Sequence, residues 1–245
     1  MSASPAPETI RVTGITNREF LDRFAREGRV GLSGGRMLID RAIYRAQRHV
    51  DEAHQWSRWS HAFLFQGRRT DGHHWVIESD LQFHRRHIQL GAQENRLTKY
   101  HDEELYTTLA VLDLGLTPQQ ELALVREGLE LVADRTRYSI RELFGTLIAM
   151  RHPKLRGKDN MLARDRALFC SALVQHVFRK AGLDLVPSLD VKNTTPEDLA
   201  RSPRVRTMYL LERTQEPARL ELVEKKLRSM KIKVRAAKAR LKRSQ

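Results

Sequence analysis

The chain has a single cysteine, Cys170, in 245 residues. One thiol cannot form an internal disulfide, so the fold does not rest on cross-links and no oxidising compartment is implied. No stretch approaches the roughly 20 apolar residues that a membrane span needs. The first residues, Met1 to Glu8, are polar and proline-containing, without the basic flank and apolar run of a signal peptide. These absences point to a cytoplasmic protein. No internal repeat at a fixed period is present. The glycine-rich run Gly28-Arg29-Val30-Gly31-Leu32-Ser33-Gly34-Gly35 has no Gly-Lys-Ser/Thr after it, which excludes a phosphate loop. A helical His-Glu-x-x-His is missing too. His73-His74 and His84-Arg85-Arg86-His87 are the remaining zinc candidates, and the adjacent arginines argue against a cation there. No metal or other cofactor is expected.

What the chain does have is a 40% hydrophobic content and a net charge of +14. The first supports a real core, in one large domain or two small ones. The second is local. Residues 217–245 carry 11 Lys+Arg against 2 Asp+Glu, a net of +9, which leaves +5 for residues 1–216. In that tail Leu220, Val223, Leu227, Met230, Val234, Ala237 and Leu241 are spaced three and four apart, a heptad seam. The flanking positions Glu224, Lys226, Lys231, Lys233, Lys238 and Arg240 are nearly all basic, so a parallel self-pair would repel. The tail reads either as a solvated helix or as a surface for the protein body, an acidic partner, an anionic membrane or nucleic acid.

The body reads as alternating helices and strands. Residues 1–15 are expected as a flexible arm. Asn17 is placed to cap a short helix running to about Glu27. The glycine run is expected as a turn entering a helix from Arg36 to about His54, with Leu38, Ile39, Ala42, Ile43 and Ala46 as its buried stripe. His61 to Phe65 and His74 to Ser79 suit two strands joined through the Asp71-Gly72 turn signal. Leu105 to Asp113 suits another. Thr117-Pro118-Gln119-Gln120 is a helix start with cap, proline and capping-box residue in place. Its stripe is expected at Leu122, Val125, Leu129 and Val132. A further helix is expected from about Ser139 to Met150, then a basic loop over 151–160. Thr195-Pro196-Glu197-Asp198-Leu199 starts a short helix, and Met208 to Leu211 is a last strand.

Chemistry gathers at three places. In Phe169-Cys170-Ser171-Ala172-Leu173-Val174-Gln175-His176-Val177-Phe178-Arg179-Lys180-Ala181-Gly182, apolar residues recur at helical spacing and Lys180-Gly182 make a helix end. The helix begins either at Asp165 or close to Phe169. In the second case Cys170 lies in the first turn, where unpaired N–H groups favour a thiolate. By itself, a lone cysteine among apolar residues is a small buried hydrophobe. In the expected hairpin, Glu78 shares a face with His61 when it lies across from Phe63. A register shifted by one puts Ser79 there instead.

Ser60-His61 leading a strand, Val76-Ile77-Glu78 on the next, and Phe169-Cys170-Ser171-Ala172-Leu173-Val174 opening a helix, in that order, resemble the circularly permuted papain-like cysteine amidases and peptidases. The branch is the YiiX-like one of the NlpC-type superfamily, with lecithin retinol acyltransferase as a more distant relative. Tyr138 before a helix, and the Thr-Pro-Glu-Asp-Leu segment after the Cys170 helix, agree with it. The resemblance covers roughly residues 28–212. It implies an α+β, circularly permuted papain-like domain over 16–213, an antiparallel sheet against helices, with the basic helical tail at 217–245 outside the match. It implies a cysteine hydrolase or acyltransferase acting on a peptide, cell-wall or lipid acyl bond. In it Cys170 is the nucleophile, His61 the base and Glu78 the residue that orients the ring. The family's Gly-Asp pair heading a strand has no counterpart, since Arg29 follows Gly28, and the partner for the oxyanion stays unassigned. The competing reading is a catalytically inactive binding module that works through the basic tail.

Overall fold

In the computed structural model the described residues are 7–36, 38–47, 57–84, 87–134, 170–187 and 189–213. They form an α+β arrangement around one seven-stranded sheet, in the order β1-β7-β6-β2-β3-β4-β5. The strands are β1 (Glu8–Val12), β2 (Val30–Gly35), β3 (His61–Arg68), β4 (His74–His84), β5 (His87–Arg96), β6 (Tyr106–Asp113) and β7 (Thr207–Leu211). The helices are α1 (Asn17–Phe24), α2 (Leu38–Ala46), α3 (Pro118–Ala133), α4 (Cys170–Lys180) and α5 (Pro196–Ala200), with short 3-10 turns at Leu97–His101 and Val191–Asn193. Every strand pairing is antiparallel except β1 with β7, which is parallel. Residues Met1–Glu212 make one compact unit.

Alternation along the strands sends side chains to two different cores. On one face Val30, Leu32, Ala62, Leu64, Ile77, Ala110 and Leu112 meet Leu124 of α3 and Leu173, Val174, Val177 and Phe178 of α4. On the other Phe63, Phe65, Val76, Leu109 and Val111 meet Phe20 and Leu21 of α1 and Leu97 and Tyr100 of the first 3-10 turn. His61 and Glu78 stand in step with Phe63 and Val76, and so belong to this second face.

Several expectations are corrected. Glu8–Val12, read as part of a loose arm, is β1; its mostly exposed side chains hid a strand that is held by backbone pairing to β7. The glycine run is not a turn. Val30–Gly35 is β2, near the middle of the sheet, with β6 on one side and β3 on the other. Glycine serves there because the Phe63 ring lies against Gly31, where a Cβ would overlap it. Thr16, not Asn17, caps α1 in a complete capping box with Glu19. Asn17 is buried and donates through Nδ2 to the carbonyls of Tyr100 (3.0 Å) and Tyr106 (2.9 Å).

In α3 the cap and capping box are as expected, but Leu122 is 66% exposed; Leu124, Val125 and Gly128 are buried. β4 runs five residues past Ser79, and β5, unforeseen, pairs with it along its whole length. The helix expected at 139–150, the loop at 151–160, Tyr138 and the tail 217–245 lie outside the described residues. Among the described residues no helix is long and apolar enough to cross a membrane.

Candidate active site

The β3–β4 ladder pairs Leu64 with Ile77, and extending it by one residue sets Glu78 across from Phe63. That register puts the His61 ring and the Glu78 carboxylate on one face, on neighbouring strands. His61 Nε2 and Glu78 Oε2 are 2.6 Å apart. Glu78 is fully buried, while the His61 side chain keeps 17% of its surface exposed. A bare carboxylate in such a place would be costly. Here four donors surround it. Asn95 Nδ2 lies 2.7 Å and Lys99 Nζ 2.9 Å from Oε1, and the Tyr100 hydroxyl donates to Oε2 beside His61.

Cys170 is the first residue of α4 as described and is partly exposed. The helix is fixed behind it. Leu173, Val174, Val177 and Phe178 are buried against the sheet. Ser171 Oγ donates to the Thr194 carbonyl at 2.7 Å. At the far end the Leu183 N–H reaches Phe178 O (2.8 Å) and the Gly182 N–H reaches Arg179 O (3.0 Å). That is a Schellman end, with Gly182 in the left-handed region at φ 77°. The Cys170 sulfur stands near the His61 ring and the backbone N–H groups of Ala62 and Ser171, which act on its ionisation. Since Nε2 faces Glu78, Nδ1 is the ring nitrogen left for sulfur.

The electrostatics follow from these contacts. For His61, burial opposes the charged ring. The charge and hydrogen bond of Cys170, with the hydrogen bond and charge of Glu78, outweigh it and raise the ring from 6.5 to about 10. For Cys170, burial favours the neutral thiol. The His61 charge and hydrogen bond, and the two backbone N–H groups, outweigh it and bring the thiol below its ordinary 9.0. For Glu78, burial pushes upward, and the hydrogen bond and charge of His61, the charge of Lys99 and the Tyr100 hydroxyl hold the carboxyl far below 4.5. Both shifts run in the direction of a thiolate–imidazolium pair.

All three residues singled out in the sequence come together. Asn95, Lys99 and Tyr100 were not singled out, because they stand 17 to 22 positions from Glu78 and no spacing rule connects them to it. Among the described residues no group of three His, Cys, Asp or Glu side chains could hold a metal ion.

No family model matches the chain, and no curated protein matches it. Among solved structures, the metalloprotein yiiX from Escherichia coli O157:H7 is similar, at 15% identity and a TM-score of 0.47. The match covers 76% of this chain and 96% of that one.

Proposed function

We propose that this chain is a cysteine hydrolase or acyltransferase, built on a circularly permuted papain-like fold, that opens an amide or ester bond through Cys170, His61 and Glu78. The observation that carries the reading is the meeting of Cys170 with the His61 ring, whose Nε2 lies 2.6 Å from Glu78 Oε2. The order of the three along the chain, imidazole, then carboxylate, then thiol, fits the permuted branch.

Sulfur of the Cys170 thiolate adds to the acyl carbon, and the carbonyl electron pair moves onto oxygen. The backbone N–H of Cys170 is the donor assigned to that oxyanion. When the tetrahedral adduct collapses, the carbon–nitrogen or carbon–oxygen bond breaks and the leaving group takes the proton of the His61 imidazolium. A thioester on Cys170 and a neutral imidazole remain. In the second half His61 takes a proton from water, or from an acceptor hydroxyl or amine, as it adds to the thioester carbon. Sulfur leaves as thiolate and the imidazolium is restored. Glu78 holds the ring plane through both halves and stabilises its charge. The substrate class is an acyl amide or ester: a peptide, a cell-wall amide or a lipid ester.

The test is a panel of those three substrate types given to wild type and to Cys170→Ala. The expected result is turnover by wild type alone, with an acyl adduct on Cys170 in intact-mass spectra during turnover. Equal behaviour of the two proteins over the whole panel, together with a wild-type thiol that reacts at an ordinary rate, would overturn it.

A further inference from the structure

We infer that Lys99 and Tyr100, neighbours on the 3-10 turn Leu97–His101, are positioning residues that clamp Glu78 and so set how firmly the His61 ring holds its proton. The inference rests on the acyl-transfer reading above.

An ionised carboxylate has about four lone-pair sites, and Glu78 uses four. Oε1 receives Asn95 and Lys99; Oε2 receives His61 and Tyr100. The group cannot rotate without losing donors, so the oxygen facing His61 keeps its aim. The clamp itself is held. Leu97 and Tyr100 are buried, and Asn17 ties the turn by its bond to the Tyr100 carbonyl. The Tyr100 ring stacks on Phe63 at 4.2 Å between centroids, with 18° between planes, and lies beside the His61 ring at 6.4 Å and 21°. Lys99 Nζ lies 5.2 Å from the Tyr100 ring centroid.

Charge gives the clamp a role beyond holding shape. Read along the site, the groups alternate: Lys99 positive, Glu78 negative, His61 positive, and Cys170 negative once it ionises. Among the described residues, the charged and titratable groups facing Glu78 are His61 from β3 and Lys99 and Tyr100 from the turn. β5 adds the neutral Asn95 amide, and Cys170 of α4 stands beyond the imidazole. With Lys99 and Tyr100 both drawing on the carboxylate, less of its charge falls on the imidazolium. The ring therefore holds its proton less tightly than Glu78 alone would make it, and can release it to a leaving group. Removing a positive charge raises the pKa of every neighbour. Without Lys99, His61 becomes a poorer acid and Cys170 a weaker one.

The test is the pH profile of Cys170 alkylation by iodoacetamide, which has one possible cysteine target in this chain. It is run on wild type, Lys99→Met, Lys99→Arg and Tyr100→Phe, with folding checked by circular dichroism and thermal melting. Lys99→Met is expected to move both the thiol limb and the imidazolium limb up by about one pH unit, and Lys99→Arg to return them to wild type. Tyr100→Phe keeps the stacked ring and removes only the donor, and is expected to raise the imidazolium limb by less. It also tests the clamp if Lys99→Met is too unstable to purify. Folded variants that melt earlier but keep the wild-type limbs would overturn the clamp alone. A wild-type thiol with an ordinary profile would overturn the acyl-transfer reading and the clamp with it.

Discussion

Replacing His61 by alanine tests the thiolate–imidazolium pair most directly. In wild type the thiol is lowered chiefly by the His61 charge and hydrogen bond. His61→Ala removes both, while the N–H donors of Ala62 and Ser171 stay in place. Glu78 is not orphaned in that variant, because Asn95, Lys99 and Tyr100 still bond it. The chain should therefore stay folded. An ordinary thiol with a pKa of about 8.5 is only about 0.3% ionised at pH 6, so full ionisation is worth at most about 300-fold in alkylation rate. A thiolate of lower basicity is less nucleophilic, with a Brønsted slope of about 0.4–0.5, and this returns part of the gain. The expected result is iodoacetamide labelling at pH 6 that is about 10- to 100-fold slower in His61→Ala. By about pH 9–10 both thiols are ionised, and the variant, with the more basic sulfur, should label as fast or faster. Parallel profiles over pH 5–10 would refute the reasoning, because no ion pair could then exist between the two residues.

Glu78→Gln keeps the shape but turns an amide NH2 toward donors that need an acceptor, and removes the carboxylate charge that Lys99 faces. A loss of about 2–4 kcal/mol is expected in denaturant unfolding, with labelling of Cys170 slowed at neutral pH. The same variant tests the acid limb. Glu78 is held below 4.5 when folded, so its contribution to stability is present above about 4.5 and lost as pH falls below it; Glu78→Gln should lack that loss. Gly31→Ala forces a Cβ into the Phe63 ring, and a cost of about 1–3 kcal/mol is expected from thermal or urea melts. Deleting 217–245 removes nine of the fourteen net positive charges. It should lower the salt needed to elute the chain from heparin and leave the Cys170 labelling rate unchanged.

The His61–Glu78 pair was legible because strand alternation places residues two apart on one face, and only the register stayed open. The helix ends at Thr117 and Gly182 were legible because capping is a local matter of side-chain chemistry. What stayed hidden depends on distant parts of the chain. β2 carries Gly31, Gly34 and Gly35, which read as a turn; it is a strand because Phe63, Tyr44 and Asp40 occupy the space that side chains would need. β1 and β5 carry too many polar residues to stand out, and gain their place from backbone pairing at the two edges of the sheet. Asn17 looked like a cap, since its neighbour Thr16 does that work and a buried asparagine has no sequence signature. Lys99 and Tyr100 were not singled out, because their common partner, Glu78, lies on β4, 21 and 22 positions earlier, and no local spacing joins them to it.

The choice between Glu78 and Ser79 as the partner of His61 is made some distance from either. On the turn side of the hairpin, Arg68 pairs with His74 and Gly67 with Trp75. On the site side, Phe65 pairs with Val76 and Leu64 with Ile77. Carried straight through, the first register would set Phe63 across from Ser79 and turn Glu78 toward the opposite core. The extra residue, Gln66, shifts it by one and brings Glu78 to the histidine. The bulge is made possible by Gly67 at φ 99°, a conformation other residues adopt only with strain. The same shift sends Ile77 to the core that holds Leu64 and Val76 to the one that holds Phe65. Removing it would expose the apolar pattern of β4 to the wrong faces as well as lose the carboxylate. Core packing and site assembly therefore favour one register together. That coupling explains how a buried, ionised glutamate can be held in place beside a histidine at the start of the neighbouring strand.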